Sequence, residues 1–276
     1  MQPLCVVVGV ARSGYYAWRA RKPSARAQAD AELLPMIQEI HQASHATYGS
    51  PRIHAELQAR GYRCGRKRVA RLLHQTGLTG CPPRTPPQTT TPAASVATPD
   101  LLEREFSATA PNQKWVADIT YIATDEGWVY LAVVEDLFSR MIVGWAMLPQ
   151  ITSDLVVLAL QMALHQRQPP RDLIHHSDHG SQYTATALQT VFARYHIRPS
   201  LGTTGDCYDN AVAESFFQLL KRERIRRKTY PSREDARQDV FNYIEMFYNP
   251  VRRHSYNDDL SPVEFERRHF NKVGSV

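Results

Sequence analysis

From Cys81 to Pro111 the chain carries seven prolines and six threonines with few apolar residues among them. Proline fixes φ and offers no backbone N–H, and a stretch this poor in apolar side chains cannot assemble a core. It reads as a linker over residues 81–111, dividing the 276 residues into an amino-terminal module, residues 1–80, and a carboxy-terminal region of about 165 residues. Charge divides at nearly the same place. Residues 1–100 hold 13 Lys/Arg against 5 Asp/Glu, residues 101–205 hold 7 against 10, and residues 206–276 hold 13 against 12. The net +6 is thus concentrated in the first third, the pattern expected of a module that meets a polyanion beside a more acidic body. No run approaches the ~18 apolar residues needed to cross a bilayer. The opening Met1-Gln2-Pro3-Leu4-Cys5 lacks the early basic run of a signal peptide, so a cytoplasmic protein without membrane attachment is expected. Cys5, Cys64, Cys81 and Cys207 are scattered and form neither a disulfide framework nor, with His41 and His45, a zinc-ligand spacing.

The amino-terminal module reads as all-helical. Leu33, Leu34, Ile37, Ile40 and His41 follow a helical period. Ser50-Pro51 reads as an N-cap and first helical position of a helix that stops near Gly61, and a second helix from about Arg66 to Gln75 ends at Gly77. Two short helices joined by Gly61-Tyr62-Arg63-Cys64-Gly65 have the outline of a helix-turn-helix. The second carries Arg66, Lys67, Arg68 and Arg71 beside an apolar stripe of Val69, Leu72 and Leu73, which suits a helix laid on DNA phosphates. Val10 to Trp18 resembles the turn and second helix of another such motif, with too few residues before it for a partner helix.

Beyond the linker, Trp115–Ile122 alternates apolar and polar residues, and Trp128–Val134 and Met141–Met147 follow after short turns, an antiparallel meander. Thr152 is placed to cap a helix through Leu155, Leu158, Ala159 and Met162. A strand at Leu173–His176, a helix at about Thr184–Tyr195 and a strand at Ile197–Leu201 follow. Three antiparallel strands and then alternating helices and strands is the order of a ribonuclease-H-like α/β fold. Ser232 and Asp235 form a capping box before a helix whose Val240, Phe241, Ile244 and Phe247 read as core.

Three acids stand out by context. Asp118 interrupts an apolar strand, where an unpaired carboxylate is costly to bury. Asp178 follows a strand at its carboxyl end, the edge where ligands gather in α/β sheets. Glu214 lies on a helix beginning near Asp209-Asn210, sharing a face with Asn210, Phe217 and Lys221, while Val212, Phe216, Leu219 and Leu220 pack the other side. Two strands and a helix can bring such acids together around Mg²⁺, a hard ion that takes oxygen ligands. Two such ions can activate a hydroxyl and stabilise the leaving oxygen of a phosphodiester.

The strings Trp115-Val116-Ala117-Asp118-Ile119-Thr120, His176-Ser177-Asp178-His179-Gly180-Ser181-Gln182-Tyr183 and Asp206-Cys207-Tyr208-Asp209-Asn210-Ala211-Val212-Ala213-Glu214-Ser215-Phe216-Phe217 resemble retrovirus-integrase-like transposases. More narrowly, they are similar to the second reading frame (OrfB) of the IS-three group of bacterial insertion sequences. The 35 residues between Asp178 and Glu214 match that family's spacing. Tyr248-Asn249, Arg252, His254 and Leu260-Ser261-Pro262 resemble its carboxy-terminal motif, and Tyr48 to Leu78 its helix-turn-helix.

The resemblance implies an integrase catalytic core, a mixed five-stranded sheet with helices, over residues 112–228, a helical extension over 229–276, and a helix-turn-helix module before them. It implies Asp118, Asp178 and Glu214 as catalytic metal ligands for two Mg²⁺ ions, with Mn²⁺ as a substitute. It implies hydrolysis of a strand at the element's end and transfer of the 3′-OH to target DNA by an oligomer on DNA. Members are often activated by a frameshift that fuses an upstream DNA-binding frame, which the half-motif at residues 10–18 fits. His179 departs from the arginine many members carry, at the expense of a DNA contact but not of the acids.

DNA contacts are expected from Lys221, Arg66, Lys67, Arg68 and Arg71, and from Arg222 and Arg224 in a run, Lys221 to Lys228, with six basic residues of eight. A solvated helix end is the other reading of that run. Asn210, His254 and Arg252 stand either behind the acids or, for the last two, as caps of the carboxy-terminal loop. The competing functions are a ribonuclease-H-like nuclease that does not join strands, and a non-catalytic DNA-binding inhibitor of transposition.

Overall fold

The structure, a computed structural model, describes residues 7, 9–81, 100–102, 105–202 and 211–273. The chain forms two compact units, Met1–Pro82 and Pro83–Val276. Residues 82–99 of the expected linker lie outside the described residues. Its last stretch is built into the second unit: Leu102 is buried with Val116, Leu137 and Ala213, and the Leu101 amide donates to Ser200 Oγ at 2.9 Å. Among the described residues no helix is long and apolar enough to cross a membrane.

The first unit contains α1 (Arg12–Arg19), α2 (Ala25–Ala43), α3 (Ser50–Ala59) and α4 (Arg66–Gln75). α1 buries none of its residues. Ser24 caps α2 by accepting from the Ala27 amide at 3.2 Å. Leu33, Ile37 and Ile40 of α2 are buried, as are Ile53 and Leu57 of α3 and Val69, Leu72 and Leu73 of α4, each set at helical spacing. The N-cap of α3 is Gly49 rather than Ser50, moving Pro51 one place inward, which the unbonded amides of a first turn tolerate. α3 and α4 close alike. Gly61 and Gly77 take φ of 86° and 69°, and the amides of Tyr62 and Leu78 reach back to the Leu57 and Leu73 carbonyls at 2.9 and 3.0 Å. That closure needs a left-handed residue, which glycine adopts without penalty.

The second unit is built on β1 (Lys114–Thr124), β2 (Gly127–Asp136), β3 (Met141–Leu148), β4 (Ile174–Ser177) and β5 (Arg198–Leu201). The sheet order is β3-β2-β1-β4-β5, antiparallel among the first three strands and parallel from β1 to β4 to β5. This is the mixed five-stranded sheet of an integrase core with the ribonuclease-H-like order. α5 (Ser153–Arg167) and α6 (Thr186–Tyr195) cover the face that presents Trp115 and Ala117. α5 lies so close to β3 that a Cβ on Gly144 would run into the Ala159 carbonyl. Alternation along β1 turns Val116 to the opposite face, where it meets Ala213 of α7 (Ala211–Glu223).

α8 (Arg233–Tyr243) runs into a π turn at Ile244–Tyr248, and α9 (Pro262–Val273) ends the described chain. The Ser232–Asp235 capping box forms as the sequence predicts. Thr152 sits at the N-cap of α5 but makes no side-chain bond. Phe241, read as core, is 41% exposed. On α7 it is Ala213, Phe216, Phe217 and Leu220 that are buried, so Phe217 belongs to the core side rather than to the face of Glu214. Asn249 satisfies the outer edge of β3: its Oδ1 accepts from the Ile142 amide at 3.0 Å and its Nδ2 donates to the Ile142 carbonyl at 2.9 Å. Arg167 of α5 makes two 2.8 Å bonds to Glu266 of α9.

Candidate active site

β1 and β4 run parallel with Val116 opposite His176. Continued by two residues, that register stands Asp178 beside Asp118, on neighbouring strand lines ~4.8 Å apart. β4 ends at Ser177 while β1 continues to Thr124, so both acids project where the sheet opens between the two strands. α7 crosses the Val116 face, and Ala213, packed there, brings Glu214 to the same place.

The electrostatics report this convergence. The Asp118 carboxyl is pushed up to about 7, first by burial and then by the neighbouring Asp178, with Glu214 adding to it. The Ile119 amide, donating to Asp118 Oδ1 at 2.7 Å, and the Lys221 ammonium pull the other way. Burial also raises the Glu214 carboxyl. The charge crowding at Asp118 is of the kind that a bound cation relieves. Asp178 is exposed and accepts from the Gly180 amide at 3.2 Å. A Cβ at Gly180 would come within 3.1 Å of Asp178 Oδ1, so glycine keeps the carboxylate uncrowded.

Two neighbours were not singled out by the sequence. Tyr183 is buried, and its phenol is held well above its ordinary pKa by burial and then by Asp118 and Asp178. A turn in which the Tyr183 amide donates to the Gly180 carbonyl at 3.0 Å returns it to the core on the Ala117 face. Its position five residues after Asp178 was the only available signal. Tyr121 lies under Lys221, whose Nζ is 5.0 Å from the ring centroid. The ammonium is weakened by burial and then by Arg226, against the pull of Asp118.

Three carboxylates fit a hard divalent cation by donor chemistry, and their mutual repulsion is what such an ion would relieve. As they stand, no three or more His, Cys, Asp and Glu among the described residues form a closed metal cage. Asn210 lies outside the described residues. Arg252 acts on the far end of α7, and His254 packs behind it. Arg252 donates to both oxygens of Glu223 at 2.9 and 2.7 Å, and the His254 ring packs edge-on against Tyr248 with centroids 4.8 Å apart. Of the basic residues assigned to DNA, Arg66 and Lys67 are exposed, whereas Arg68 and Arg71 each lie 2.6 Å from an oxygen of Asp30. Arg222 leans on Glu223 at 3.7 Å and Arg224 on Asp239 at 3.4 Å, which also holds Lys228 at 2.5 Å.

Family models agree with this anatomy. An HTH-like domain matches residues 27–86, and Integrase core domain models match residues 108–207 and 214–270. The chain is similar to Transposase InsF for insertion sequence IS3A of Escherichia coli (strain K12), 44% identical over 97% of this chain and 94% of the relative. It is also similar to the Insertion element IS600 uncharacterized 31 kDa protein of Shigella sonnei, 42% identical over 96% of this chain and 98% of that one. Among solved structures, the HTLV-2 integrase catalytic core domain in complex with magnesium aligns with 57% of this chain and 98% of its own, at 18% identity and a TM-score of 0.43. With integrase-core matches on both sides of residues 208–213 and an InsF relative aligned along nearly its whole length, the chain belongs to the IS3 family of insertion-sequence transposases.

Proposed function

We propose that the chain hydrolyses a phosphodiester at the end of an insertion sequence and then transfers the freed 3′-OH strand to target DNA, using Asp118, Asp178 and Glu214 as an Asp-Asp-Glu catalytic set. The observation that carries this reading is the electrostatic coupling of Asp118 to both Asp178 and Glu214, just past the point where the parallel β1–β4 pairing stops. These three residues would hold two Mg²⁺ ions, with Mn²⁺ as a substitute. When bound, such ions activate the attacking hydroxyl and stabilise the leaving oxygen. Lys221 sits seven residues beyond Glu214 on α7, about 10.5 Å along the axis at ~1.5 Å per residue. It reaches a phosphate lying across the acids rather than the metal. Arg66 and Lys67 of the helix-turn-helix unit would engage DNA phosphates, as would Arg222 and Arg224, whereas Arg68 and Arg71, expected there from the sequence, are held by Asp30. The protein would act as a homo-oligomer on DNA, alone or joined to an upstream-frame product.

The test is a cleavage and joining assay with element-end DNA. Asp118→Asn, Asp178→Asn and Glu214→Gln each keep side-chain shape while removing a charged ligand. Each should lower strand transfer by about a thousandfold or more, several kcal/mol of transition-state stabilisation, with end binding retained. Near-native joining by Asp178→Asn in Mg²⁺ would remove the site. Hydrolysis without joining by the unsubstituted chain would make it a nuclease.

A further inference from the structure

Two large aromatic side chains remain in solvent beside the candidate active site. Tyr121 is 57% exposed and Trp128 51%. They lie on neighbouring antiparallel strands, where Tyr121 pairs with Tyr130 and Ala123 with Trp128, so the two are diagonal neighbours on one face. Their rings meet nearly perpendicularly, with centroids 5.0 Å apart and an interplanar angle of 89°, the favoured edge-to-face arrangement. Each ring therefore holds the other in place while about half of each side chain stays open. A soluble surface gains nothing from displaying such a pair unless something covers it.

The charges around the pair say what that is. Lys221 Nζ lies 5.0 Å from the Tyr121 ring centroid, and the same ammonium feels both Asp118 and Arg226. Arg226, in the turn Ile225–Arg227, is exposed. Aromatic faces interleaved with cations are the surface that takes a nucleic-acid strand, bases on the rings and phosphates on the cations. An apolar protein or lipid partner would gain nothing from the two cations. Tyr121 is three residues past Asp118 on β1, ~10 Å along the strand; the odd offset sets its side chain on the other sheet face from Asp118, and Lys221, which feels Asp118 and lies on the Tyr121 ring, spans the two. That span is about three base steps of a duplex at ~3.4 Å each. A base inside a duplex has no free face at that distance. Stacking on one ring is worth about tenfold to a hundredfold in affinity, of the same order as the cost of extruding a paired base. The gain therefore goes to a base that is already unpaired.

We propose that Tyr121 and Trp128 form a stacking platform for an unpaired nucleobase within about three positions of the phosphate held at Asp118, Asp178 and Glu214. The position of that phosphate rests on the function proposed above. The base itself is recognised by this hairpin, with Lys221 and Arg226 holding its flanking phosphates. The platform thus favours an element end whose last base pairs are open.

The experiment uses the full chain with Asp118→Asn, so that binding is read without turnover. The probes are duplexes of element-end sequence carrying 2-aminopurine at one of the three terminal positions, either paired or left unpaired by a mismatch. The unpaired probe should be quenched on binding. Trp128→Ala should weaken its binding about tenfold and abolish the quench, Trp128→Phe should retain most of both, and binding of the paired probe should be unchanged throughout. Equal affinity and equal quenching in Trp128→Ala would overturn the platform. So would an equal loss for paired and unpaired probes, since the hairpin would then dock DNA without reading an open base. Failure of the catalytic assignment appears elsewhere, as joining by Asp118→Asn when Mg²⁺ is added, whereas the binding comparison is made without divalent cation.

Discussion

Glu135 sits at the end of β2 with 1% exposure, and its Oε2 has no hydrogen-bond partner among the described residues. Its neighbour Asp136 is equally buried but accepts from the amides of Asn112 at 2.7 Å and Phe138 at 2.9 Å. Burial pushes the Glu135 carboxyl up to about 8, with Arg140 pulling down and Asp136 pushing further up. The folded chain therefore keeps this proton up to about pH 8, whereas the unfolded chain releases it near the ordinary value of 4.5. Between those values unfolding releases a proton, so the Glu135 contribution to stability falls as pH rises. Glu135→Gln, which resembles the protonated acid, should match the parent's melting temperature at pH 5 and exceed it at pH 8. Thermal denaturation at the two pH values checks this, and a variant no more stable than the parent at pH 8 would mean that the carboxyl ionises freely. Nothing local marks Glu135 in the sequence. In Val133-Val134-Glu135-Asp136 it reads as the polar end of a strand, and the groups that bury it come from distant parts of the chain, Tyr248 among those that feel its charge. Asp118 was legible because a single acid breaks the apolar alternation of its strand, and Tyr121 was passed over because an aromatic in a strand is ordinarily core.

At the level of elements, α7 has to be held at both ends for Glu214 to keep its place. Ala213 anchors the amino end on Val116. The carboxyl end is held by Glu223, which is 2% exposed and takes two bonds from Arg252, itself 1% exposed, and a third from the Tyr243 hydroxyl at 2.8 Å. A buried pair of this kind adds little net stability against an apolar replacement, yet removing one partner strands the other charge at about 3–5 kcal/mol. Arg252→Ala should therefore lower the melting temperature on the order of 10 °C, while Arg252→Met combined with Glu223→Leu recovers most of the loss. Melting curves of both variants decide it, and a single variant as stable as the double would show that Glu223 finds solvent or another cation. Strand and helix positions were readable because alternation and helical period survive in single segments. The π turn at Ile244–Tyr248, the Asn249 bonds to β3 and the Glu223–Arg252 pair were not. The last two depend on partners tens of residues away or more, which periodicity does not record.

For the molecule as a whole, the concentration of positive charge in the first unit leaves open which cations meet DNA. α4 carries four basic residues, but they fall into two classes. Arg66 and Lys67 are exposed, while Arg68 and Arg71 share Asp30, whose carboxyl they hold below its ordinary value through hydrogen bonds and charge. The second pair ties α4 to α2. The first pair is available to phosphates. Each phosphate contact contributes about 0.9 to the slope of log affinity against log salt for B-DNA, so Arg66→Ala with Lys67→Ala should flatten the slope of the full chain by roughly 2 and weaken binding most at low salt. Arg68→Ala with Arg71→Ala should leave the slope nearly unchanged and instead lower the melting temperature of the first unit, because Asp30 loses both partners. Salt titrations of binding to element-end DNA, set beside melting curves, separate the two classes. If the Arg68/Arg71 variant flattened the slope as much as the Arg66/Lys67 variant, the two arginines would be leaving Asp30 for phosphates when DNA binds. The α2–α4 tie would then be a contact of the DNA-free protein alone.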